Sequence, residues 1–490
     1  MTIKRLFAIL LGVALFAMSV RETIDPDLWW HLRTGEAILQ NGFPQTDIFS
    51  FTVPTHEWIV QQWLTDLLMW LVYSVSGLAG LSVVFAALVM VTFLLVYKRC
   101  AGRPYLAAFT VLLGLLTAAL PLGVRPQMVN FFFLAFFIFI LEGYREGKVW
   151  RKRLYWLPLL TLLWANMHSG FIVGVVVLAV YTVGEAAGRL MGRTFNHPAV
   201  ETFGWRDIGL LAVLMPGSFA AAFVNPSTYK LVFFSLGTLG SSAIQSNILE
   251  WRSPDFHQVY FWFFGITMAL GVLAWVFSPR RPTPTEMLLF LGTAAGGLVS
   301  ARHIPLFAVV APLILSRHLL LILDGTALYP LFSEDEKVKE PPKAAMQAIN
   351  WLVLALVVGV TLLWTAVRLS NNPLAVEKTF PVAAADFLEE SGLAETRIYN
   401  HYEWGGYLIW RRIPVFIDGR TELYGDDFFL SYLKAFEARQ DWHEPLDDYE
   451  VETVIMPENS ALATVLTVSE AWEEVYGDEQ ARIFRRVGEE

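Results

Sequence analysis

The apolar positions of this chain form long, nearly uninterrupted runs. The runs lie near residues 6–20, 78–97, 104–122, 128–142, 154–167, 170–188, 207–223, 259–277, 284–300, 304–320 and 349–367. Runs of this kind approach the length that crosses a hydrocarbon core of about 30 Å as a helix. They predict a polytopic α-helical membrane protein with about 11 transmembrane helices. Because many further apolar runs follow the first one, we interpret it as a retained helix rather than a signal peptide.

The composition supports this class. Of the 490 residues, 55% are hydrophobic and 17% are charged, whereas a soluble protein has about 25% charged residues. The single cysteine, Cys100, excludes an intramolecular disulfide and a cysteine-based metal cluster. Membrane lipids are therefore expected partners, and nucleic acid is not.

Charge divides the chain into two parts. After Leu369 no further apolar run of spanning length occurs, and residues 371–490 carry 25 acidic and 10 basic side chains, a net charge of −15. The total is −9, so the preceding residues carry +6. We therefore predict a transmembrane domain over 1–369 and an acidic soluble domain over 370–490, a usual size for one core.

Loop charges predict the orientation. With the N-terminus in the cytoplasm, the inner loops hold most of the basic residues, among them Lys337, Lys339 and Lys343. This distribution satisfies the positive-inside rule. It predicts a multi-pass protein of the cytoplasmic (inner) membrane whose C-terminal domain is extracytoplasmic, on the same face as the first outer loop, 21–76.

That first outer loop has the signals of two interfacial helices. Asp25 and Pro26 have the residue types of an N-cap and a first helical position, and Asn41-Gly42 is a stop signal. A second helix is predicted from about Glu57 to Tyr73, after a turn-prone link.

The strongest candidate site follows the first span. Asp25, Asp27 and His31 lie within one dozen positions, and ionisable groups at a membrane surface are functional candidates. We predict that they are catalytic. Simpler interpretations remain: Asp25 as an N-cap, Asp27 as a favourable charge in a first helical turn, and His31 as its partner at i+4.

Basic residues recur where spans meet the predicted outer face. They are Arg125, His168, Arg302 and His303. Taken singly, each is typical of a helix end in the headgroup layer. Together they would suit a phosphate or pyrophosphate group, because a guanidinium offers two parallel donors.

The C-terminal domain reads as an α/β layer. A helix over Val382–Ser391 precedes a strand over Thr396–Asn400, a turn at Gly405-Gly406 and a strand over Val415–Ile417. Asp418 would then lie at the carboxyl end of a strand, where open α/β sheets place ligands. Alternatively, Asp418-Gly419 is only a hairpin corner.

These residues carry a family resemblance. The Asp25-Pro26-Asp27…His31…Arg33 run after the first span resembles the C-superfamily (GT-C type) of membrane glycosyltransferases and, distantly, oligosaccharyltransferase catalytic subunits. The run from Tyr402 to Tyr407, followed by Asp418, is similar in spacing to the Trp-Trp-Asp-x-Gly-Tyr tract of their external domain. The resemblance implies a polyprenyl-(pyro)phosphate-linked sugar as donor and a glycan, protein or lipid as acceptor. It makes four residues acceptor-side candidates: Glu403, Trp404, Asp418 and Arg420.

The same resemblance suggests a divalent cation, Mg²⁺ or Mn²⁺, near Asp25, with Asp27 and Glu250 as further ligands. This chain departs from the family pattern, since Arg125-Pro126-Gln127 stands where a second acidic pair is expected. We therefore expect no metal cofactor. Two other functions remain open: an O-antigen ligase- or polymerase-like transferase, and a lipid or sugar transporter.

Overall fold

The computed structural model describes residues 1–195, 203–332 and 344–488. Lys337, Lys339 and Lys343, which contribute to the predicted orientation, lie outside these ranges. The chain forms two compact units. The helical unit comprises Met1–Arg21, Ser82–Tyr229 and Leu249–Arg368, and the sheet unit comprises Glu22–Leu81, Lys230–Ile248 and Leu369–Glu490.

The helical unit is built from the apolar runs. Its helices are Ile3–Ser19, Tyr105–Thr117, Gln127–Arg145, Trp156–Met167, Ile172–Phe195, Trp205–Ala221, Trp262–Phe277, Pro284–Val299, Ile304–Leu323 and Tyr329–Phe332, with the C-terminal part of Trp63–Tyr97 and most of Ala344–Ser370. A helix overlaps each predicted run. Among the described residues, 6 helices are long and apolar enough to cross a membrane, and two shorter apolar helices accompany them. The total of about eleven crossings stays a prediction.

Ion pairs join the helices of this unit. Glu142 accepts from Arg317, and Arg145 Nη2 lies 3.4 Å from Glu185 Oε1. Arg280 donates to both oxygens of Glu286 at 2.6 and 2.8 Å. The three carboxylates are almost fully buried, so their charges are compensated by arginines on other parts of the unit, as buried charges must be.

In the sheet unit, the first outer loop begins with a helix that starts later than predicted. The helix is Leu28–Asn41, not one that begins at Asp25-Pro26. Asp25 Oδ1 accepts the N–H of Asp27 at 2.9 Å, which makes a local turn before the helix. The predicted end is confirmed: Gly42 follows Asn41 with φ +86°, a conformation that favours glycine.

The second loop helix also starts later than predicted, at Trp63 rather than near Glu57, and continues to Tyr97. Its helical geometry is interrupted at Gly77, where φ is +61° and ψ is −161°. Non-glycine residues essentially do not adopt this conformation, so glycine is required where the loop segment meets the apolar run.

The C-terminal part contains a four-stranded sheet. Its strands are β1 (Ile398–Asn400), β2 (Thr453–Pro457), β3 (Trp472–Gly477) and β4 (Ala481–Arg486), in the order β1-β2-β4-β3. β1 and β2 are parallel, and the other pairs are antiparallel. The helices of this unit are Leu28–Asn41, Lys230–Gly240, Ser242–Asn247, Asn372–Thr379, Val382–Glu390, Gly405–Trp410, Thr421–Tyr424, Asp426–Phe436, Glu444–Asp448 and Ala461–Thr467.

Two sequence predictions for this part are wrong. Gly405-Gly406 is the start of a helix, Gly405–Trp410, rather than a turn. Val415–Ile417 is not a strand of the sheet, because Val415 forms an isolated parallel bridge with Ser50 of the first loop. Asp418 therefore does not follow a sheet strand.

Both faces of the sheet are buried, as the side-chain alternation of a strand allows. Tyr399, Val454 and Phe484 face one core cluster. Ile398, Ile455 and Ile483 face the other, which also contains Trp29 and Trp30 of the first loop. The first outer loop thus supplies part of the core of the C-terminal sheet.

The predicted topology can be tested by cysteine labelling. Gln45 and Gln440 are exposed, and Cys100 is buried. In a Cys100→Ser background, we expect Gln45→Cys and Gln440→Cys to react with an impermeant maleimide from the extracytoplasmic side, since the loop charges predict that both lie there. Arg281→Cys, exposed in a predicted inner loop, is the control and should react only from the cytoplasm. Labelling of positions 45 and 440 from the cytoplasm alone would contradict the orientation.

Candidate functional site

Asp25 and Asp27 form one turn in the sheet unit. Asp25 is 9% exposed, and its Oδ1 accepts the backbone N–H of Asp27. Oδ1 of Asp27 accepts the indole N–H of Trp30 at 3.0 Å. Each carboxylate therefore has one oxygen held by an N–H donor, which fixes the orientation of the group.

Glycines of the C-terminal segment lie directly against this turn. A Cβ on Gly419 would lie 1.8 Å from Oδ1 of Asp27, and one on Gly406 would lie 2.2 Å from the carbonyl oxygen of Pro26. Any larger residue would displace the turn. The structure thus brings together the two segments that carried the family resemblance, Asp25–Arg33 and Tyr402–Arg420.

Arg420 is the centre of a buried ion cluster beside this contact. Its Nε and Nη2 donate to the two oxygens of Asp418 at 2.8 and 2.7 Å, and its Nη1 donates to Asp47 at 2.6 Å. The phenol of Tyr424 donates to Asp418 at 2.6 Å. Burial by itself raises the pKa of Asp418, but Arg420 and Tyr424 together hold that pKa below its ordinary value.

The four acceptor-side candidates occupy different environments. Glu403 is exposed, although desolvation by the surrounding protein raises the pKa of its carboxyl. Trp404 belongs to the hydrophobic core, and Asp418 and Arg420 are 0% and 4% exposed. Glu403 is the most exposed of the four, and the other three are buried. An acceptor role for them stays a prediction.

His31 pairs with a residue that the sequence reasoning missed. Its Nδ1 lies 2.8 Å from Oδ1 of Asp66, which is fully buried. The alternative partner considered for His31, Asp27, is instead bonded to Trp30. Asp66 carries a weak local signal, a lone acid in the apolar start of the Trp63–Tyr97 helix. Asp47 has a signal too, the Asp-x-x-Ser turn in which Ser50 N–H donates to its carboxylate at 2.8 Å.

In the helical unit, three of the predicted phosphate-binding residues meet around Glu250 and Trp251. Glu250 forms ion pairs with Arg125 and, at 3.5 Å, with Arg302. The guanidinium of Arg302 lies 5.0 Å from the Trp251 ring centre, and His303 packs edge-on against the same ring. Burial raises the pKa of Glu250, but the two arginines outweigh burial and hold it below its ordinary value.

The fourth predicted residue, His168, ends the Trp156–Met167 helix. Its Nδ1 accepts the backbone N–H of Gly170 at 2.9 Å, so His168 caps the next helical turn. Nearby, Asn130 Oδ1 accepts the indole N–H of Trp164, and a Cβ on Gly170 would collide with Asn130. This corner is tightly packed.

The residues suggested as metal ligands already have other polar partners. Mg²⁺ and Mn²⁺ need several oxygen ligands. Asp25 and Asp27 each have one oxygen bonded to an N–H, and Glu250 is neutralised by two arginines. Within the described ranges, no group of three or more His, Cys, Asp or Glu is arranged to hold a metal ion.

The fold has relatives among solved structures. Neither a family model nor a curated protein matches the chain in sequence. The Archaeoglobus fulgidus oligosaccharyltransferase tethered to an acceptor peptide aligns with 93% of this chain and 69% of its own, at 13% identity and a TM-score of 0.56. Its complex with an inhibitory peptide and a dolichol-phosphate gives 12% identity over 93% and 70%, with a TM-score of 0.54. ArnT from Cupriavidus metallidurans bound to undecaprenyl phosphate gives 16% identity over 99% and 97%, with a TM-score of 0.48.

The fold of this chain is therefore similar to that of the archaeal oligosaccharyltransferase, in agreement with the resemblance that the first-loop motif indicates. The predicted layout of a helical membrane protein with a C-terminal α/β part is confirmed with it.

The ion cluster yields a stability prediction. Replacing Arg420 by Met leaves Asp47 and Asp418 buried without their cation, which we expect to destabilise the sheet unit by about 3–5 kcal/mol. Hydrogen exchange of the β2 amides in the full-length protein in detergent should then accelerate by at least about a hundredfold at pH 7. Leu430→Met, on an exposed position of the same unit, is the control.

The ion cluster also predicts how the free energy of unfolding depends on pH. In the wild type, the lowered pKa of Asp418 means that its stabilising contribution is present above its unfolded pKa of about 3.9 and is lost as the pH falls through the folded pKa. In Arg420→Met, protonation of the uncompensated carboxylates stabilises the folded state. The difference in unfolding free energy between the variant and the wild type should therefore narrow as the pH falls toward 4. An unchanged difference would contradict the assignment.

Proposed function

We propose that this protein is a glycosyltransferase that moves a sugar from a polyprenyl-(pyro)phosphate carrier to an acceptor on the outer face of the cytoplasmic membrane. The acceptor is a glycan, a protein or a lipid. One observation carries the proposal: the Asp25-Pro26-Asp27 turn is held against Gly406 and Gly419, in a chain with an oligosaccharyltransferase fold.

The reaction assigns each group a task. A carboxylate of the first loop, Asp25 by preference, accepts a proton from the acceptor nucleophile or orients it. The nucleophile attacks the anomeric carbon, and the bond to the carrier phosphate breaks with its electron pair on oxygen. Arg125, Arg302, His303 and His168 are the groups proposed to stabilise that developing negative charge.

A guanidinium pair is a suitable phosphate ligand. Arg125 and Arg302 share the single carboxylate of Glu250, so the three groups together carry one excess positive charge. A bidentate guanidinium–phosphate contact can replace or join such a shared ion pair. The dolichol-phosphate bound to the archaeal oligosaccharyltransferase supports a lipid-phosphate donor for a chain of the same fold.

The rival functions predict other features. A transporter places ionisable groups at mid-membrane in broken helices, whereas the internal ion pairs of the helical unit lie toward the predicted cytoplasmic ends of its helices. An O-antigen ligase- or polymerase-like transferase also uses a lipid-linked donor. The large first loop, which joins the core of the C-terminal sheet, favours the glycosyltransferase proposal.

The catalytic carboxylate can be identified by amide substitution. Asp25→Asn keeps the Oδ1 that accepts the Asp27 N–H, so the turn should persist while the charge is lost. We expect transfer from a polyprenyl-linked sugar to fall by about 10²–10⁴-fold with unchanged expression and insertion. Glu57→Gln, an exposed neutralisation in the same loop, is the control. Full activity of Asp25→Asn together with loss in Asp27→Asn would move the role to Asp27.

The charged residues proposed for the site also predict whether transfer depends on a metal ion. Because Arg125 and Arg302 already supply positive charge, and Arg125 stands where a second acidic pair is expected, we expect transfer to persist in EDTA. The measurement is the rate of transfer from the lipid-linked sugar in detergent, with and without EDTA. Loss of activity that added Mn²⁺ or Mg²⁺ restores would show that a cation is required.

A further inference from the structure

A buried histidine–carboxylate pair lies beside the proposed catalytic turn. His31 is 5% exposed and Asp66 is 0% exposed. Nδ1 of His31 lies 2.8 Å from Oδ1 of Asp66. Gln62 Nε2 is 3.4 Å from the same nitrogen, the longer contact of the two. As a carboxylate, Asp66 can only accept, and Nδ1 then carries the hydrogen of the shorter bond.

Stability alone does not explain this pair. Oδ2 of Asp66 is buried and has no hydrogen-bond partner among the described residues. A buried carboxylate with half of its acceptor capacity unused is costly, and an apolar pair of similar volume is often as stable or more stable. The contact is therefore one that a purely structural position has little reason to hold.

The pair has the arrangement that orients a proton-accepting imidazole. When Nδ1–H is donated to a carboxylate, the lone pair of the neutral ring is on Nε2. In the described part of the chain Asp66 is the bonded partner of Nδ1, and no other hydrogen bond of the ring approaches it in length. Asp66 thus selects one tautomer.

His31 is also connected to the carboxylate turn. Its ring lies against the Trp30 indole, with a centroid separation of 3.7 Å, and that indole donates to Oδ1 of Asp27. The backbone N–H of His31 donates to the carbonyl of Asp27 at 3.2 Å. One turn of helix therefore fixes the imidazole relative to Asp27.

We infer that Asp66 is a positioning residue that holds His31 in the tautomer able to accept the acceptor's proton at Nε2. This inference rests on the proposed function. As the acceptor oxygen or nitrogen bonds to the anomeric carbon, its proton passes to Nε2, and the carbon–oxygen bond to phosphate breaks with the electron pair on phosphate. The carboxylates of the turn then orient the nucleophile, and Asp66 stabilises the imidazolium.

The test compares Asp66→Asn with wild type in the full-length protein. The carboxamide is close in shape to the carboxylate but can donate an N–H to Nδ1, which moves the ring proton to Nε2. We expect turnover to fall by about 10²–10⁴-fold, by analogy with amide substitution in catalytic triads, with the donor KM changed by less than about threefold. Glu57→Gln is the matched neutralised control.

A spectroscopic arm reads the tautomer directly. In protein labelled with ¹⁵N-histidine, the His31 signals are assigned by their absence in His31→Gln. We expect protonated Nδ1 and unprotonated Nε2 in wild type, and the reverse in Asp66→Asn. The same tautomer in both proteins, or turnover within twofold of the control, would overturn the inference.

A double variant distinguishes a loss of catalytic positioning from a loss of folding. If the two residues act as one unit, Asp66→Asn combined with His31→Gln should be no slower than the slower single variant. Multiplicative losses would show that the residues act independently and would overturn the inference. If the wild type transfers no sugar from lipid-linked donors, the proposed function fails, while the ¹⁵N measurement still decides whether Asp66 sets the tautomer.

Discussion

The sheet unit depends on the ion pairs that the guanidinium of Arg420 forms with two carboxylates. It binds Asp418, two residues away, and Asp47, which is 373 positions away in the chain. All three side chains are buried. Separating the two segments would leave charges without partners at a cost of several kcal/mol. The first outer loop and the C-terminal segment must therefore fold together.

This coupling determines how the candidate site is built. Gly419, between the two residues of the Asp418–Arg420 pair, lies so close to Asp27 that an added Cβ would collide with the Asp27 carboxylate. Val415, a few residues earlier, is bridged to Ser50 of the loop. The position of the proposed catalytic turn is thus set by the C-terminal segment as much as by the helix that follows it. The C-terminal segment therefore cannot relax without disturbing the carboxylates of the first loop.

Local sequence patterns predicted much of the secondary structure. The apolar runs all correspond to helices, and Gly42 ends the first loop helix because a positive φ suits glycine. The helix start was misplaced because Asp-Pro is an equally good signal for a turn, and here Asp25 bonds to the N–H of Asp27. The apolar run Val415–Ile417 resembles a buried strand, but the sequence does not reveal that its partner is Ser50.

The chemistry of the site was predicted less completely than the fold. Asp25, Asp27 and His31 stood out because polar groups were crowded beside an apolar run. Asp66 and Asp47 did not, because their ion-pair partners are distant in the sequence. Asp66 pairs with His31, 35 positions away, and Asp47 with Arg420, 373 positions away. Hydrophobic periodicity describes which face of an element is buried, and it contains no information on which buried charge will meet which.

The ion pairs of the helical unit bear on how such a protein is assembled. Arg145 is synthesised together with Glu142, but Glu185, Glu286 and Arg317 follow much later in the chain. In the predicted topology both arginines lie on the cytoplasmic side, where basic residues determine the orientation of insertion and acidic residues contribute little. In the finished fold they are neutralised. A substitution at Glu286 would therefore leave the direction of insertion intact and act only afterwards, as a packing failure inside a correctly oriented protein. Defects in biogenesis and defects in folding thus arise from different residues of the same network.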